Sequence, residues 1–76
     1  MYTEKIRNIV IAVNPAIEKY KGNNYIEDGI LESIEIMEIV DMLEEEFQIV
    51  IDPGFIVPEY FESIATLNDM IMKIKG

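Results

Sequence analysis

The fold is decided by residues 28–47, which read DGILESIEIMEIVDMLEEEF. From about Ser33 to Phe47 the apolar residues recur at the spacing of an α-helix, in which successive residues are about 100° apart. One stripe of this helix carries Ile36, Val40, Leu43 and Phe47, and the broadly opposite face carries Glu35, Glu38, Asp41 and Glu45. The pattern predicts an amphipathic helix with an acidic outer face.

The chain before this helix predicts a long but interrupted first helix. Its apolar residues recur at helical spacing as far as Tyr20, but Pro15 lies within the pattern. Asn14 and Pro15 suit the N-cap and the first residue of a second helical piece, so we expect a kink or short break near Asn14. Residues 21–29, KGNNYIEDG, are typical of a loop.

The chain after Phe47 predicts a loop and two further helices. Residues 48–57, QIVIDPGFIV, have no partner strand and are expected to form a loop whose apolar residues fill the core. Pro58 then begins a short helix through Ile64, and Thr66 with Asp69 matches a capping pattern for the last helix, which ends with basic residues at 73 and 75. Buried positions are expected at Tyr60, Phe61, Ile64, Leu67, Met70, Ile71 and Ile74.

These elements predict one all-α domain over residues 1–76. Its expected order is a long helix, a long loop, a long acidic helix, a short third helix and a fourth helix. The N-terminal residues mix charges with apolar residues and the apolar runs are too short to cross a bilayer, which favours a soluble, cytoplasmic protein. We also expect a monomer.

Composition restricts the function classes. The 76 residues include no histidine and no cysteine, which excludes Ser/His and Cys/His catalysis and thiolate metal sites. The net charge is −9, and no Lys or Arg occurs between Gly22 and Met72. Such a surface disfavours nucleic acid and anionic membranes and favours a basic protein partner. The alternative is that the acidity only keeps a half-apolar small protein in solution.

The acidic residues also raise the question of calcium. With Asn24 as position one of an EF-hand loop, Asp28, Gly29 and Glu35 fall at positions five, six and twelve. Ile26 occupies position three, where an oxygen ligand is needed, so no metal site is predicted.

Ser33 has three possible roles: a helix cap, a nucleophile or an attachment point. A serine at the start of a helix is the expected N-cap, worth about 1 kcal/mol, but Ile36 three residues later does not complete a capping box. No base is available to activate it as a nucleophile. An apolar Ile34 ringed by Glu32, Glu35 and Glu38, with Met37 at the border of the two faces, resembles a contact anchor inside a charged rim. That arrangement favours an attachment point modified by an outside enzyme.

The motif DGILES, the acidic helix after it and the later FESIATLNDMI resemble the carrier-protein family, which includes acyl carrier proteins and their D-alanyl and peptidyl relatives. The resemblance covers the whole chain and implies a small four-helix bundle. Members carry 4′-phosphopantetheine, taken from coenzyme A, on a serine in a D-S-L-type motif at the start of the second helix. Here the motif is E-S-I, and the Asn14-Pro15 break is a further departure from the family.

Matched residue by residue, Ser33 corresponds to the serine that carries the prosthetic group. The resemblance implies partner-binding roles for Asp28, Gly29, Glu32, Ile34, Glu35, Met37, Glu38 and Asp41. The implied partners are a phosphopantetheinyl transferase and the ligases or synthases that load acyl or aminoacyl groups. The resemblance implies no catalytic residue, because the carrier is not itself an enzyme.

The expected function is therefore that of a stand-alone acyl carrier in fatty acid, polyketide or related biosynthesis. One alternative is a D-alanyl or aminoacyl carrier in cell-envelope or peptide biosynthesis. An alternative of another class is an acidic helical interaction module without a prosthetic group, in which Ser33 serves only as a cap.

Overall fold

The computed structural model describes residues 2–76, and within them all regular structure is helical. The three α-helices are α1 (Thr3–Val13), α2 (Ser33–Phe47) and α3 (Ile64–Lys75). Three short 3-10 segments, Pro15–Lys19, Pro53–Phe55 and Pro58–Phe61, lie between them. The prediction of an all-α protein is confirmed, as is the absence of a strand at 49–51 among the described residues.

The first helix breaks where the sequence predicts. Asn14 is extended, with φ −138° and ψ 94°, and its Oδ1 accepts a hydrogen bond from the backbone N–H of Ala16 at 3.1 Å. Pro15 is then the first residue of the 3-10 segment. Because the residue before a proline is driven out of the α region and Asn is a good cap, local chemistry accounts for the break.

The predicted short third helix is a 3-10 segment and not an α-helix. In Pro58–Phe61 the carbonyl of Val57 accepts from the N–H of Tyr60 at 3.1 Å, which is the i to i+3 pattern. A new cap at Ser63 follows immediately, so the chain has too few residues here for a second α-helical turn. Residues 2–76 therefore contain three α-helices, and the predicted count of four helices is not confirmed.

The last helix begins earlier than predicted. Its cap is Ser63, whose Oγ accepts from the N–H of Thr66 at 3.2 Å, while Thr66 Oγ1 accepts from the N–H of Ser63 at 3.1 Å. Thr66 is therefore the third residue of α3 and not its cap, and the predicted pairing with Asp69 is wrong. Lys73 and Lys75 lie in the last turn, as predicted.

The core lies where α1 packs against both α2 and α3. The fully buried large side chains come from all three helices and the 3-10 segment before α3: Phe61, Ile6, Ile39, Leu43, Leu67, Met70, Ile71 and Val10. Most predicted core positions are buried, although Ile36, Tyr60, Ile64 and Ile74 are only half-buried. From the loop after α2, Ile51 enters the core while Val50 is 83% exposed, so that loop fills the core only in part. None of the helices in residues 2–76 combines the length and apolarity that crossing a bilayer requires.

Candidate functional site

Ser33 is the first residue of α2, and its side chain is exposed. The preceding Glu32 is extended, with φ −98° and ψ 164°, and is the N-cap residue. Its carbonyl accepts the first hydrogen bond of the helix, from the N–H of Ile36 at 3.0 Å. The chain therefore enters α2 one residue earlier than it would if Ser33 were the cap.

The Ser33 hydroxyl has no part in capping α2. The Oε1 atom of Glu35 accepts a hydrogen bond from the N–H of Glu32 at 2.9 Å, which is the return bond of a capping box. Within residues 2–76, Ser33 Oγ forms no hydrogen bond to the helix end. The interpretation of Ser33 as an N-cap is wrong, because the glutamate three residues after Glu32 makes Glu32 the better cap position.

The same tripeptide, Glu-Ser-Ile, begins both α2 and α3, at residues 32–34 and 62–64. In α3 the serine is the cap, because a hydrogen-bonding Thr66 stands three residues after Ser63. In α2 the residue three after the serine is the apolar Ile36, and the box forms from Glu32 instead. The chain thus has one serine used for structure and one whose hydroxyl is left free at a helix N-terminus.

Ser33 borders an apolar cleft of about 230 Å³. The cleft lies between the first turns of α2 and the segment before α3, and it is lined by Ser33, Ile36, Met37, Ile56, Val57, Pro58 and Phe61. Phe61 is fully buried, so it forms part of the cleft floor. A group attached to Ser33 therefore has apolar surface within reach of its first few atoms.

The loop residues Asp28 and Gly29, which the resemblance assigns to partner binding, are both exposed. Asp28 accepts a hydrogen bond from the hydroxyl of Tyr20, and that hydroxyl accepts one from the N–H of Asn24 at 3.0 Å. Burial of the ring, together with the bond to Asp28, raises the pKa of Tyr20. Gly29 has φ +70°, a conformation that favours glycine. This loop is ordered by its own hydrogen bonds.

The predicted contact residues on α2 present a mixed apolar and acidic surface. Ile34 is 71% exposed and Met37 is 48% exposed, and the two lie one helical turn apart at the start of α2. Glu38 and Asp41 are exposed beside them, whereas Glu35 is half-buried because its carboxylate turns back to the N–H of Glu32. Ser33 therefore lies beside an exposed apolar pair with carboxylates next to it.

Two residues that the sequence does not mark as functional hold the segment before Ser33. The Nδ2 of Asn14 donates to the carbonyl of Ile30 at 2.9 Å. The buried Tyr25 accepts at its carbonyl from the N–H groups of Ile30 and Leu31, at 2.9 and 3.2 Å, and its own N–H donates to the carbonyl of Glu62 at 2.7 Å. The bonds from Asn14 to Ile30 and from Tyr25 to Glu62 join residues distant in the chain, and the only signal for them in the sequence is the aromatic Tyr25 within a polar loop.

Two of the would-be calcium ligands have other partners. Asp28 accepts from Tyr20, and Glu35 accepts from the backbone of Glu32. Among residues 2–76, no group of three or more His, Cys, Asp or Glu side chains is placed to hold a metal ion.

Comparison of the chain with protein-family models, with curated proteins and with solved structures found no match. The resemblance to carrier proteins therefore stays a prediction from the motif around Ser33 and from the order of the helices.

Proposed function

We propose that this protein is a stand-alone carrier protein that receives 4′-phosphopantetheine from coenzyme A on the Oγ of Ser33. In this proposal the three α-helices and the 3-10 segment Pro58–Phe61 form the carrier-type bundle. The carrier would serve fatty acid, polyketide or related biosynthesis, or, with an aminoacyl cargo, cell-envelope or peptide biosynthesis. Its reactions would be catalysed by partner enzymes.

One observation carries the proposal: Ser33 is an exposed serine at the start of a helix whose cap is made without it. A serine that caps a helix has a structural reason to be there, as Ser63 does in α3. Ser33 lacks that reason. Its Oγ would attack the phosphorus that bears the pantetheine arm of coenzyme A, the diphosphate P–O bond would break, and adenosine 3′,5′-bisphosphate would leave. The hydroxyl proton would pass to a base of the transferase, because the chain has no histidine or cysteine to serve as one.

The residues around Ser33 fit a phosphodiester with a flexible arm. The first N–H groups of a helix have no partner within the helix and favour an anionic group near them. Repulsion from the exposed Glu32 and the half-buried Glu35 opposes this, but salt screens the exposed charge. The bound group would supply a thiol that holds an acyl or aminoacyl group as a thioester.

The cleft beside Ser33 supports an apolar cargo of limited size. Its volume of about 230 Å³ is below the roughly 300–1,000 Å³ of pockets that enclose drug-sized ligands. Ile36, Ile56 and Val57 give it apolar walls. A short acyl group or part of the arm could lie against these walls while the rest stays outside.

The exposed face of α2 supports docking on basic partner enzymes. Ile34 and Met37 offer apolar contacts, and the neighbouring carboxylates of Glu38 and Asp41 complement a basic patch. Complementary charge speeds association and makes it sensitive to salt. Short encounters of this kind suit a protein that passes cargo between enzymes, since the arm raises the local concentration of cargo at each active site.

The rival function is an acidic interaction module without a prosthetic group. The same exposed Ile34 and Met37 favour it, because they would anchor a basic partner whether or not Ser33 is modified. The two functions differ in what they require of Ser33. A carrier needs its hydroxyl, whereas the module should bind its partner equally well when Ser33 is replaced by alanine.

The test is the intact mass of the protein after incubation with coenzyme A and a broad-specificity phosphopantetheinyl transferase. We expect a gain of one phosphopantetheine in the wild type and none in Ser33→Ala. The matched control is Ser63→Ala, which removes the only other serine of the chain. That variant should lose stability but still gain the group.

A gain that persists in Ser33→Ala would place the modification elsewhere and contradict the proposal. The absence of any gain with several transferases, on protein shown to be folded by circular dichroism, would favour the interaction module instead.

A further inference from the structure

The side chain of Asn14 forms two hydrogen bonds, with two different parts of the chain. Its Oδ1 accepts from the N–H of Ala16 at 3.1 Å and so caps the 3-10 segment Pro15–Lys19. Its Nδ2 donates to the carbonyl of Ile30 at 2.9 Å. The first bond is local and expected for an Asn before a proline, whereas the second crosses to the segment that leads into α2.

The second bond acts on the backbone just before Ser33. Ile30 is three residues before Ser33, and its N–H donates to the carbonyl of Tyr25 at 2.9 Å. The next residue, Leu31, is buried and donates to the same carbonyl at 3.2 Å. The Asn14 side chain thus holds this segment by a hydrogen bond from the end of α1.

The break after α1 is what gives Asn14 this geometry. Pro15 disfavours the helical conformation at residue 14, and Asn14 is extended with φ −138° and ψ 94°. Its amide group then reaches both the N–H of Ala16 and the carbonyl of Ile30. The interruption of the first helix, which is a departure from the carrier-protein pattern, therefore has a structural consequence at the other end of the loop.

We infer that Asn14 is a positioning residue for Ser33: through Ile30 it holds the segment that presents the Ser33 hydroxyl to the modifying enzyme. This inference rests on the proposed function. The hydrogen bond of Asn14 goes to Ile30 and not to Ser33, so Asn14 would act through the backbone of residues 30–32. Without the bond from Asn14 to Ile30, the backbone of residues 30–32 samples more positions. The Ser33 hydroxyl is then less often in line with the coenzyme A phosphorus that it must attack.

The inference predicts a split between the two kinetic constants of the transferase. Ile34 and Met37 stay on α2 when the Asn14 bond is lost, so the KM for the carrier should be unchanged. The turnover number should fall because a smaller share of bound carriers has Ser33 in place. Loss of one hydrogen bond corresponds to about a three- to ten-fold decrease in kcat.

The experiment compares two variants of Asn14 with a matched control. Asn14→Asp keeps the shape and the capping oxygen but replaces the donor that faces the Ile30 carbonyl. Asn14→Ser removes the amide donor without adding charge, and its shorter side chain keeps a hydroxyl that can cap. Asp52→Ala is the control, because Asp52 also precedes a proline and caps a 3-10 segment, with Oδ1 accepting from the N–H of Gly54 at 2.8 Å.

Steady-state modification by the transferase is measured for each full-length variant, with the amide exchange rates of Ile30 and Leu31 alongside. We expect both Asn14 variants to show lower kcat, unchanged KM and faster exchange at these two amides. Asp52→Ala should match the wild type in all three quantities, although it is less stable.

If both Asn14 variants are modified as fast as Asp52→Ala, or if only KM changes, the inference is overturned while the proposed function stands. If the wild type itself is not modified, the proposed function fails and the inference fails with it.

Discussion

The Oε1 atom of Glu35 accepts a hydrogen bond from the N–H of Glu32 at 2.9 Å, and α2 is thereby capped one residue before Ser33. A glutamate pair does at this helix what Ser63 and Thr66 do at the start of α3. The two helices begin with the same tripeptide, yet only one of the two serines has a structural task. That difference makes the two serines natural controls for each other.

The first prediction concerns the stability of the two serine variants. Ser33→Ala should change the free energy of unfolding by less than about 0.5 kcal/mol, because the Ser33 side chain is exposed and forms no capping bond. Ser63→Ala should lose about 1 kcal/mol, because it removes the N-cap of α3. Urea unfolding followed by circular dichroism measures both. A loss in Ser33→Ala equal to that in Ser63→Ala would mean that Ser33 does cap α2.

The second prediction concerns the end of α2. Gln48 is the C-cap and has φ 55° and ψ 51°, the left-handed conformation that favours glycine. Gln48→Gly should raise the free energy of unfolding by up to about 1 kcal/mol, because the strain at this residue is removed. It also loses the exposed bond from Gln48 Nε2 to the carbonyl of Glu45, at 2.8 Å.

The control for that variant is Gln48→Ala, which loses the same bond but keeps the strained conformation. It should be less stable than Gln48→Gly in the same unfolding experiment. Equal stability of the two variants would show that the left-handed conformation carries no cost here.

The third prediction concerns alkaline pH. The pKa of Tyr20 is raised from its usual 10.0 by burial of the ring and by the hydrogen bond to Asp28. The folded protein thus holds this proton more tightly than the unfolded chain does. The resulting stabilisation is complete below pH 10.0, and it is lost as the pH rises through the folded-state pKa.

Tyr20→Phe isolates this contribution, because Tyr25 and Lys73 also have raised pKa values and titrate in the same region. The variant should be less stable than the wild type at neutral pH, and its free energy of unfolding should fall less steeply above pH 10. Denaturant unfolding on either side of that pH gives both slopes. If the free energy of unfolding falls equally steeply in the two proteins above pH 10, the loss of stability comes from other groups, such as Tyr25 and Lys73.

The fourth prediction concerns salt. Residues 2–76 contain one ion pair, between Lys5 Nζ and Glu46 Oε2 at 3.3 Å, and both side chains are substantially exposed. With a net charge of −9, repulsion among carboxylates should outweigh this attraction. The melting temperature should therefore rise with sodium chloride, since salt screens repulsion between exposed charges. A melting temperature that falls as salt is added would contradict this account of the charge.

The helices could be predicted from the sequence because each depends on the spacing of apolar residues, or on a cap, within a short segment of the chain. The spacing of Val40, Leu43 and Phe47 predicts the buried face of α2, and these residues are buried. Asn14 and Pro15 predict the break after α1 for an equally local reason. The fully buried Ile39 was missed because it lies beside the main stripe, where burial depends on how α1 packs against α2.

The capping register was harder to predict because it depends on which of two adjacent residues has a suitable partner three positions later. Serine is the commoner cap, so residue type favours Ser33, although the apolar Ile36 three residues later counts against it. The ties from Asn14 to Ile30 and from Tyr25 to Glu62 join distant parts of the chain. No periodicity or motif in a single sequence specifies bonds of that kind.

The free position of Ser33 makes this domain simple to label chemically. The chain has no cysteine, so Ser33→Cys would introduce a single thiol, exposed at a helix start where the side chain has no capping task. A disulfide or thioether to a synthetic pantetheine analogue could then be formed at this residue without any transferase. Such conjugates would present chosen cargo groups to candidate partner enzymes while the capping bond between Glu35 and Glu32 stays in place.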